Sequence, residues 1–189
     1  MKIALNNISK RFDKKVVADG LSYDFSDIGL YLLTGRSGEG KSTLLKMIAG
    51  LVMPDSGEII NDSGVSYAFQ EDRLFPWLRV SKNAAIAGKQ DIAEQYLDRL
   101  GLSKCKSLFP DELSGGMCRR VSLARAFAHT GIPLLIDEPF RGLDDELKQT
   151  VRDIIREQSK ERLVICATHE KELFTDAKAV ITLQEGRFI

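Results

Sequence analysis

The stretch Gly35-Arg36-Ser37-Gly38-Glu39-Gly40-Lys41-Ser42-Thr43 decides the fold of this chain of 189 residues. It matches the pattern G-x-x-x-x-G-K-[ST] in full, between an apolar run that predicts a buried strand and a segment that predicts a helix. In that setting the glycines let backbone N–H groups turn toward phosphate oxygens, and the helix dipole favours the negative charge. The pattern predicts a nucleoside triphosphate site, with Lys41 at the β- and γ-phosphates and Ser42 at Mg²⁺. The alternative is a glycine-rich turn with no ligand.

A pair of carboxylates ends a second buried strand, in Leu134-Leu135-Ile136-Asp137-Glu138. Ligands of open α/β sheets sit at the carboxyl ends of the strands, so these acids are expected beside the phosphate loop. Asp137 is placed to complete the Mg²⁺ shell, and Glu138 to orient and polarise the attacking water. The alternative is a helix cap or a surface pair.

Strand patterns alternate with helix patterns along most of the chain, which predicts an α/β fold with a mostly parallel sheet. Residues 72–126 interrupt this order with helical stretches over 80–107 and 114–128. We therefore predict one domain over 1–189. Its nucleotide-binding core is formed by 1–71 and 127–189, and a helical subdomain by 72–126.

Composition excludes several classes of protein. Lys plus Arg number 27 and Asp plus Glu number 27, so the net charge of zero argues against nucleic-acid binding and against a polybasic membrane surface. No window approaches 18 apolar residues and the amino terminus lacks an apolar segment, so neither a membrane span nor a secretory signal is predicted. The three cysteines lack CxxC spacing, which indicates free thiols in a reducing cytosol.

A second candidate anion site occurs at Leu113-Ser114-Gly115-Gly116-Met117, ahead of an arginine-rich helix. A serine and two glycines at a helix start supply a hydroxyl and free N–H groups, although a simple serine cap is the alternative. Two such sites in one chain either bind two phosphates or share one between copies. The ordered set of phosphate loop, LSGG and acidic strand end resembles the ATP-binding-cassette (ABC) ATPases over nearly the whole chain.

The resemblance implies a P-loop NTPase core with a small antiparallel β subdomain and an inserted helical subdomain. It also implies hydrolysis of ATP with Mg²⁺ in a head-to-tail dimer, expected to be a homodimer. Residues Ser114, Gly115 and Gly116 would each close over ATP that is held by the other copy. Asp144, after Pro139-Phe140-Arg141-Gly142-Leu143, matches the aspartate at the dimer interface, and it also suits a helix cap.

Three further positions take their roles from the resemblance. Phe12 matches the aromatic residue that stacks on adenine, although the spacing also fits a core phenylalanine. Gln70 matches the glutamine that contacts Mg²⁺ and senses the γ-phosphate. His169 matches the histidine that contacts the γ-phosphate. The predicted catalytic residues are thus Lys41, Glu138 and His169, and the predicted metal ligands are Ser42, Gln70 and Asp137.

The segment Phe69-Gln70-Glu71-Asp72-Arg73-Leu74-Phe75-Pro76-Trp77-Leu78 is similar to importer subunits for nitrate, sulfonate, taurine and thiamine precursors. The resemblance implies separate membrane permease subunits, an extracytoplasmic solute-binding protein and a place on the cytoplasmic face of the membrane. Phe75, Pro76 and Trp77 would line the permease groove, or else pack inside the helical subdomain. Arg141 departs from the importer pattern, which usually has a small residue there, and the spans between motifs are short.

Other classes fit less well. A soluble cassette ATPase of cofactor assembly and a P-loop NTPase outside transport are the alternatives, and a GTPase would need the N-K-x-D motif that the sequence lacks. A regulatory module with a degenerate site is disfavoured by the intact Lys41, Asp137, Glu138 and His169.

Overall fold

Three antiparallel strands form the first sheet of the computed structural model, which describes residues 2–13, 15–26 and 28–189. The strands are β1 (Ile3–Phe12), β2 (Lys15–Phe25) and β4 (Ser56–Asn61), in the order β2-β1-β4. Their inner faces alternate with exposed positions, as expected for a sheet with one face on the core. This is the small antiparallel β subdomain that the resemblance implied.

The second sheet has six strands in the order β5-β6-β7-β3-β8-β9. Its strands are β3 (Gly29–Thr34), β5 (Ser66–Ala68), β6 (Leu134–Asp137), β7 (Leu163–Ala167), β8 (Ala179–Gln184) and β9 (Arg187–Phe188). All neighbours pair in parallel except β8 and β9, which form the closing hairpin. The predicted α/β class with a mostly parallel sheet is confirmed.

Five α-helices complete the described residues. They are α1 (Lys41–Ile48), α2 (Val80–Ala85), α3 (Gln90–Arg99), α4 (Gly115–Ala128) and α5 (Asp145–Ser159). None of the helices in this part of the chain is long and apolar enough to cross a membrane. The helices α2, α3 and α4 pack on one another, while α4 ends at Ala128, just beyond the predicted boundary at 126. The division into core and helical subdomain stays a prediction.

The stretch 80–107, which the sequence predicts to be helical, consists of three separate helical elements. They are α2, α3 and a short 3₁₀ turn at Ser103–Cys105. Gly88 explains the first interruption, because a Cβ atom there would lie 2.4 Å from the carbonyl oxygen of Ala128. The chain breaks its helix where it must pass close to the end of α4. The second interruption follows Gly101, whose positive φ of 72° ends α3.

The register of the parallel strands sets the position of every motif. Ala167 is the partner of Leu33 on one side and of Asp137 on the other, so β3, β6 and β7 end at the same level. The phosphate loop, the acidic pair and residues 168–169 therefore leave the sheet side by side. This edge is the expected place for a ligand in an open α/β sheet.

The two faces of the sheet are covered by different layers. One face packs against the helices, in a buried cluster that includes Phe127 of α4 and Ile154 of α5. The other packs against α1 and the antiparallel sheet, through residues such as Leu44 and Phe25. Phe127 is fully buried, and the centroid of its ring lies 5.5 Å from that of Tyr96 on α3. It thus joins α3 and α4 to the sheet.

We predict that Phe127→Ala lowers the free energy of unfolding by about 3–5 kcal/mol, because it leaves a cavity in the helical layer. Urea unfolding followed by circular dichroism measures the loss. Ile86→Ala is the control, since that side chain is 51% exposed and its removal should cost less than about 0.5 kcal/mol. An equal loss in both variants would contradict the proposed role of Phe127.

Candidate functional site

The loop between β3 and α1 has a backbone that only glycine permits at two places. Gly35 has φ 138°, and a Cβ atom there would lie 2.3 Å from the carbonyl oxygen of Leu183. Gly40 has φ 104°, and its Cβ would lie 2.4 Å from a methyl carbon of Val17. Gly40 also precedes α1 without any side-chain cap, so no side chain of the described residues covers the N–H groups at the helix start. The loop presents these donors to an anion.

A cavity of about 530 Å³ opens above this loop. Most of the predicted nucleotide-binding residues line it, namely Phe12, Ser37, Gly38, Gly40, Lys41, Ser42, Thr43, Gln70, Glu138 and His169. The other three loop residues, Gly35, Arg36 and Glu39, line an adjoining cavity of about 370 Å³. There the Glu39 carboxylate accepts the N–H of Glu185 at 2.8 Å, which braces the loop against the β8–β9 hairpin. The structure thus brings together residues from five separate stretches of sequence.

Lys41 lies buried at the centre of the site. Its ammonium donates to the carbonyl oxygens of Gly35 and Arg36, at 2.9 and 3.2 Å, and lies 3.3 Å from Nε2 of His169. Burial lowers its pKa, and the nearby Glu138 opposes that change. The carbonyl contacts hold the cation over the loop, where phosphate oxygens would be stronger partners.

Glu138 and His169 form the second contact pair of the site. Glu138 Oε1 lies 3.1 Å from Nε2 of His169. The backbone of Glu138 has a positive φ of 49°, and its N–H donates to the carbonyl of Ala167 at 2.9 Å. Burial raises the pKa of the Glu138 carboxyl, while His169 and Lys41 oppose the rise. A carboxylate with a raised pKa, held by an imidazole, is suited to accept a proton.

The surroundings of Asp137 show whether a divalent cation would fit this site. Asp137 is only 1% exposed. Neither carboxylate oxygen makes a hydrogen bond of normal length and angle within the described residues, although the Ser42 hydroxyl lies close enough to act on the carboxyl as a donor. Burial raises its pKa, and the Ser42 hydroxyl faces it and opposes the rise. A buried carboxylate without a full set of partners is costly, and a cation that also takes the Ser42 hydroxyl would satisfy it. The residues present therefore fit Mg²⁺.

Phe12 also lines the cavity. The residue is 46% exposed, and Lys10 Nζ lies 5.2 Å from the ring centroid. The exposure argues against the plain core phenylalanine that the sequence left open. Val17 and Lys15 line the same cavity, and Lys15 Nζ donates to the carbonyl of Gly38.

Ser114, Gly115, Gly116 and Asp144 lie outside the phosphate-loop cavity. The two glycines line a second cavity of about 440 Å³, beside Arg119 and Gly142, and it shares Gln70 and Arg141 with the phosphate-loop cavity. Ser114 caps α4, with its hydroxyl accepting the N–H of Met117 at 3.3 Å. Asp144 caps α5 in the same way, accepting the N–H of Leu147 at 2.9 Å. Both serve as helix caps, and one chain alone does not bring them to the phosphate loop.

The sequence reasoning missed two residues that shape the site. Arg119 is buried, and its guanidinium donates to the carbonyl oxygens of Asp137 and Glu138, at 2.7 and 2.8 Å, and to that of Phe69. It therefore fixes the backbone at the ends of β5 and β6. Lys15, the second, contacts the loop directly. The arginine-rich helix after LSGG could have indicated Arg119. Only the closeness of Lys15 to Phe12 in the sequence could have indicated Lys15.

We predict that Asp137→Asn stabilises the protein without metal or nucleotide. Because burial raises the pKa of Asp137 in the folded state, the charged carboxyl destabilises the fold above its ordinary pKa of 3.8. The variant should therefore unfold at higher urea than the wild type at neutral pH in a chelator. The difference should shrink as the pH falls toward 4, where the wild-type carboxyl takes up its proton.

Asp111→Asn is the control for that comparison, since Asp111 is an exposed carboxylate in a turn. Its stability should follow that of the wild type at every pH. An Asp137→Asn protein less stable than the wild type at neutral pH would show that the carboxylate is already compensated.

Comparison with known proteins places the chain in a family. The family model described as ABC transporter matches residues 18–141. The chain is 35% identical to the "Probable sulfate/thiosulfate import ATP-binding protein CysA" of Chlorella vulgaris, over 100% of this chain and 90% of the relative. It is 34% identical to the aliphatic sulfonates import ATP-binding protein SsuB 3 of Paraburkholderia xenovorans (strain LB400), over 99% of this chain and 78% of the relative.

Solved structures agree on the fold. The dimeric structure of MJ0796, described as a bacterial ABC transporter cassette, superposes with a TM-score of 0.89 at 22% identity, over 98% of this chain and 96% of that chain. The resemblance inferred from the ordered motifs is thereby confirmed. The chain belongs to the ABC transporter family, as an ATP-hydrolysing cassette of the importer type.

Proposed function

We propose that this chain powers the import of a small sulfur-containing oxyanion by hydrolysing ATP at the carboxyl edge of its parallel sheet. The observation that carries the proposal is the convergence of Lys41, Glu138 and His169 on one cavity beside the phosphate loop, with the buried carboxylate of Asp137 next in the chain to Glu138. The names of the two curated relatives, which refer to sulfate, thiosulfate and sulfonates, support the class of cargo.

The triphosphate is held by the loop from Gly35 to Thr43. Its N–H groups and the start of α1 receive the phosphates, and Lys41 exchanges its carbonyl partners for the β- and γ-phosphate oxygens. In the same cavity the exposed Phe12 stacks its ring on the base.

Mg²⁺ would be held by Ser42, Gln70 and Asp137, and when bound it would supply positive charge beside the phosphates. The buried Asp137 carboxylate would be the strongest ligand of the three. Gln70 lines the cavity where the chain leaves the strand β5, so its amide oxygen is within the same site.

Hydrolysis depends on the pair of Glu138 and His169. Glu138 orients the attacking water and accepts its proton, a role that its raised pKa favours. His169 keeps the carboxylate in place through the 3.1 Å contact and donates to the terminal phosphate. The strained backbone at Glu138 is held by Arg119 from the other side.

A second copy completes each site. Gly115 and Gly116, next to Ser114, line a second cavity, and none of the three lines the phosphate-loop cavity of the same chain. Two copies arranged head to tail therefore place each Ser114–Gly116 stretch over the ATP of the other copy, with Asp144 at the interface. Because ATP binds the closed pair preferentially, its hydrolysis reopens the pair.

The membrane subunits bind the segment Phe75-Pro76-Trp77. Trp77 is 69% exposed, and its ring centroid lies 5.5 Å from that of the half-buried Phe75. The fully buried Asn83 fixes this segment, accepting the N–H of Phe75 at 2.8 Å and donating to the carbonyl of Leu78 at 2.8 Å. An exposed tryptophan beside a half-buried phenylalanine suits contact with a permease helix. The chain then works on the cytoplasmic face of the membrane, with a solute-binding protein on the other side.

We predict that Glu138→Gln lowers the rate of ATP hydrolysis by about 10²–10⁴-fold, because the amide cannot accept the proton of the attacking water. ATP binding should persist, and the variant should run as a dimer in ATP by native mass measurement. Glu146→Gln, an exposed position in α5, is the control and should hydrolyse at the wild-type rate. Unchanged hydrolysis in Glu138→Gln would remove that residue from the mechanism.

We predict that the tagged chain captures a multi-spanning membrane protein from solubilised membranes of its host. The double variant Phe75→Ala/Trp77→Ala should capture several-fold less of it, because the aromatic contact is gone. Met53→Ala is the control, since Met53 is 75% exposed on a different surface. The captured complex in vesicles should take up an aliphatic sulfonate only with ATP. A chain that stays alone in ATP would refute the transport function.

A further inference from the structure

Arg141 occupies an exposed turn between β6 and α5, three residues after Glu138. Its side chain lines the phosphate-loop cavity together with Gln70, Glu138 and His169. The Arg141 N–H donates to the carbonyl of Glu138 at 3.4 Å, and Glu138 contacts His169, which in turn contacts Lys41. Lys41 reaches the β- and γ-phosphates in loops of this kind. Arg141 is therefore at the terminal-phosphate end of the cavity.

The charges around this cavity leave one cation without a partner. Lys15, Lys41 and Arg141 are its cationic lining residues, against the single carboxylate of Glu138. Lys15 and Lys41 both donate to carbonyl oxygens of the phosphate loop. The guanidinium of Arg141 makes no hydrogen bond or ion pair with any residue in the described part of the chain. Its five N–H donors are thus free for a ligand.

The acidic side chains nearby are already engaged. Glu71 pairs with Arg73 at 3.2 Å, and Asp72 lies 3.8 Å from Arg119. Burial raises the pKa of Asp72, and the charge of Arg141 opposes that rise less than that of Arg119 does, but Arg141 and Asp72 form no ion pair. Glu138 is in contact with His169. An internal ion pair is therefore not what holds Arg141 at the cavity. A planar guanidinium with free donors is best matched by a group with several oxygens, such as a phosphate.

We propose that Arg141 donates hydrogen bonds to the terminal phosphate of ATP bound in its own chain, and so selects ATP over ADP. This inference rests on the proposed nucleotide site. ADP lacks the group that Arg141 contacts, so the residue acts on the affinity for ATP and leaves that for ADP unchanged. It also supplies a positive charge where Glu138 and the triphosphate would otherwise repel each other.

The test measures the affinity of the full chain for ADP and for the β,γ-imido analogue of ATP, which is not hydrolysed, by calorimetry at concentrations where the chain is a monomer. Arg141→Gln should weaken binding of the analogue at least about ten-fold, the loss expected for one charge-assisted hydrogen bond, and change ADP binding less than two-fold. Arg141→Lys keeps the charge without the planar fork and should lie between.

Arg152→Gln on α5 is the matched control, since its partner is the neighbouring Asp153 and it lines neither cavity. It should bind both nucleotides as the wild type does. Equal weakening of both nucleotides in Arg141→Gln, or no change in either, overturns the inference about Arg141. A wild-type chain that binds neither nucleotide overturns the proposed function itself.

Discussion

The functional edge of this protein depends on the parallel register of β3, β6 and β7. Ala167 sits level with Leu33 and with Asp137, and two backbone hydrogen bonds continue the pairing beyond the strands. Glu138 donates to Ala167 at 2.9 Å, and Thr168 donates to Leu33 at 3.2 Å. Because these bonds hold the first residues past each strand, the carboxylates and the histidine meet the phosphate loop without help from a ligand. A slip of one residue in β6 would turn Asp137 to the opposite face.

That alignment brings the charged side chains of Lys41, Asp137 and Glu138 together in a buried place, where the charged form of each group costs free energy. Burial lowers the pKa of Lys41 and raises those of Asp137 and Glu138, so each group is shifted toward its neutral form. The three groups offset one another only in part, and the Asp137 oxygens make no hydrogen bond of normal geometry within the described residues. These buried charges lower the stability of the empty fold, and a bound phosphate with its cation would raise it by supplying partners to Lys41 and Asp137.

The sequence predicted most of this site because its motifs carry their own local geometry. Glycines with positive φ at 35 and 40 and a lysine at the helix start specify a loop before any tertiary contact forms. What it did not predict depends on contacts between distant segments. The break at Gly88 follows from the approach of α4. The Arg119 guanidinium joins the ends of two strands, and its acceptors Phe69, Asp137 and Glu138 lie 50, 18 and 19 residues away in the sequence. The place of Ser114 and Asp144, away from the phosphate loop, also depends on how the helices pack.

Arg119 connects the two halves of the predicted machinery. It lies one turn into α4, the helix that begins immediately after Ser114, and its guanidinium holds the carbonyls of Phe69, Asp137 and Glu138. Residues 70 and 138, which the proposed mechanism places at the metal and at the attacking water, are therefore tied to the helix that would face the second copy. A shift of α4 must either carry these backbone groups with it or leave a buried guanidinium without acceptors, which is the costlier outcome. A movement of α4 on closing of the pair would therefore act on the backbone of a catalytic edge that each chain has already assembled.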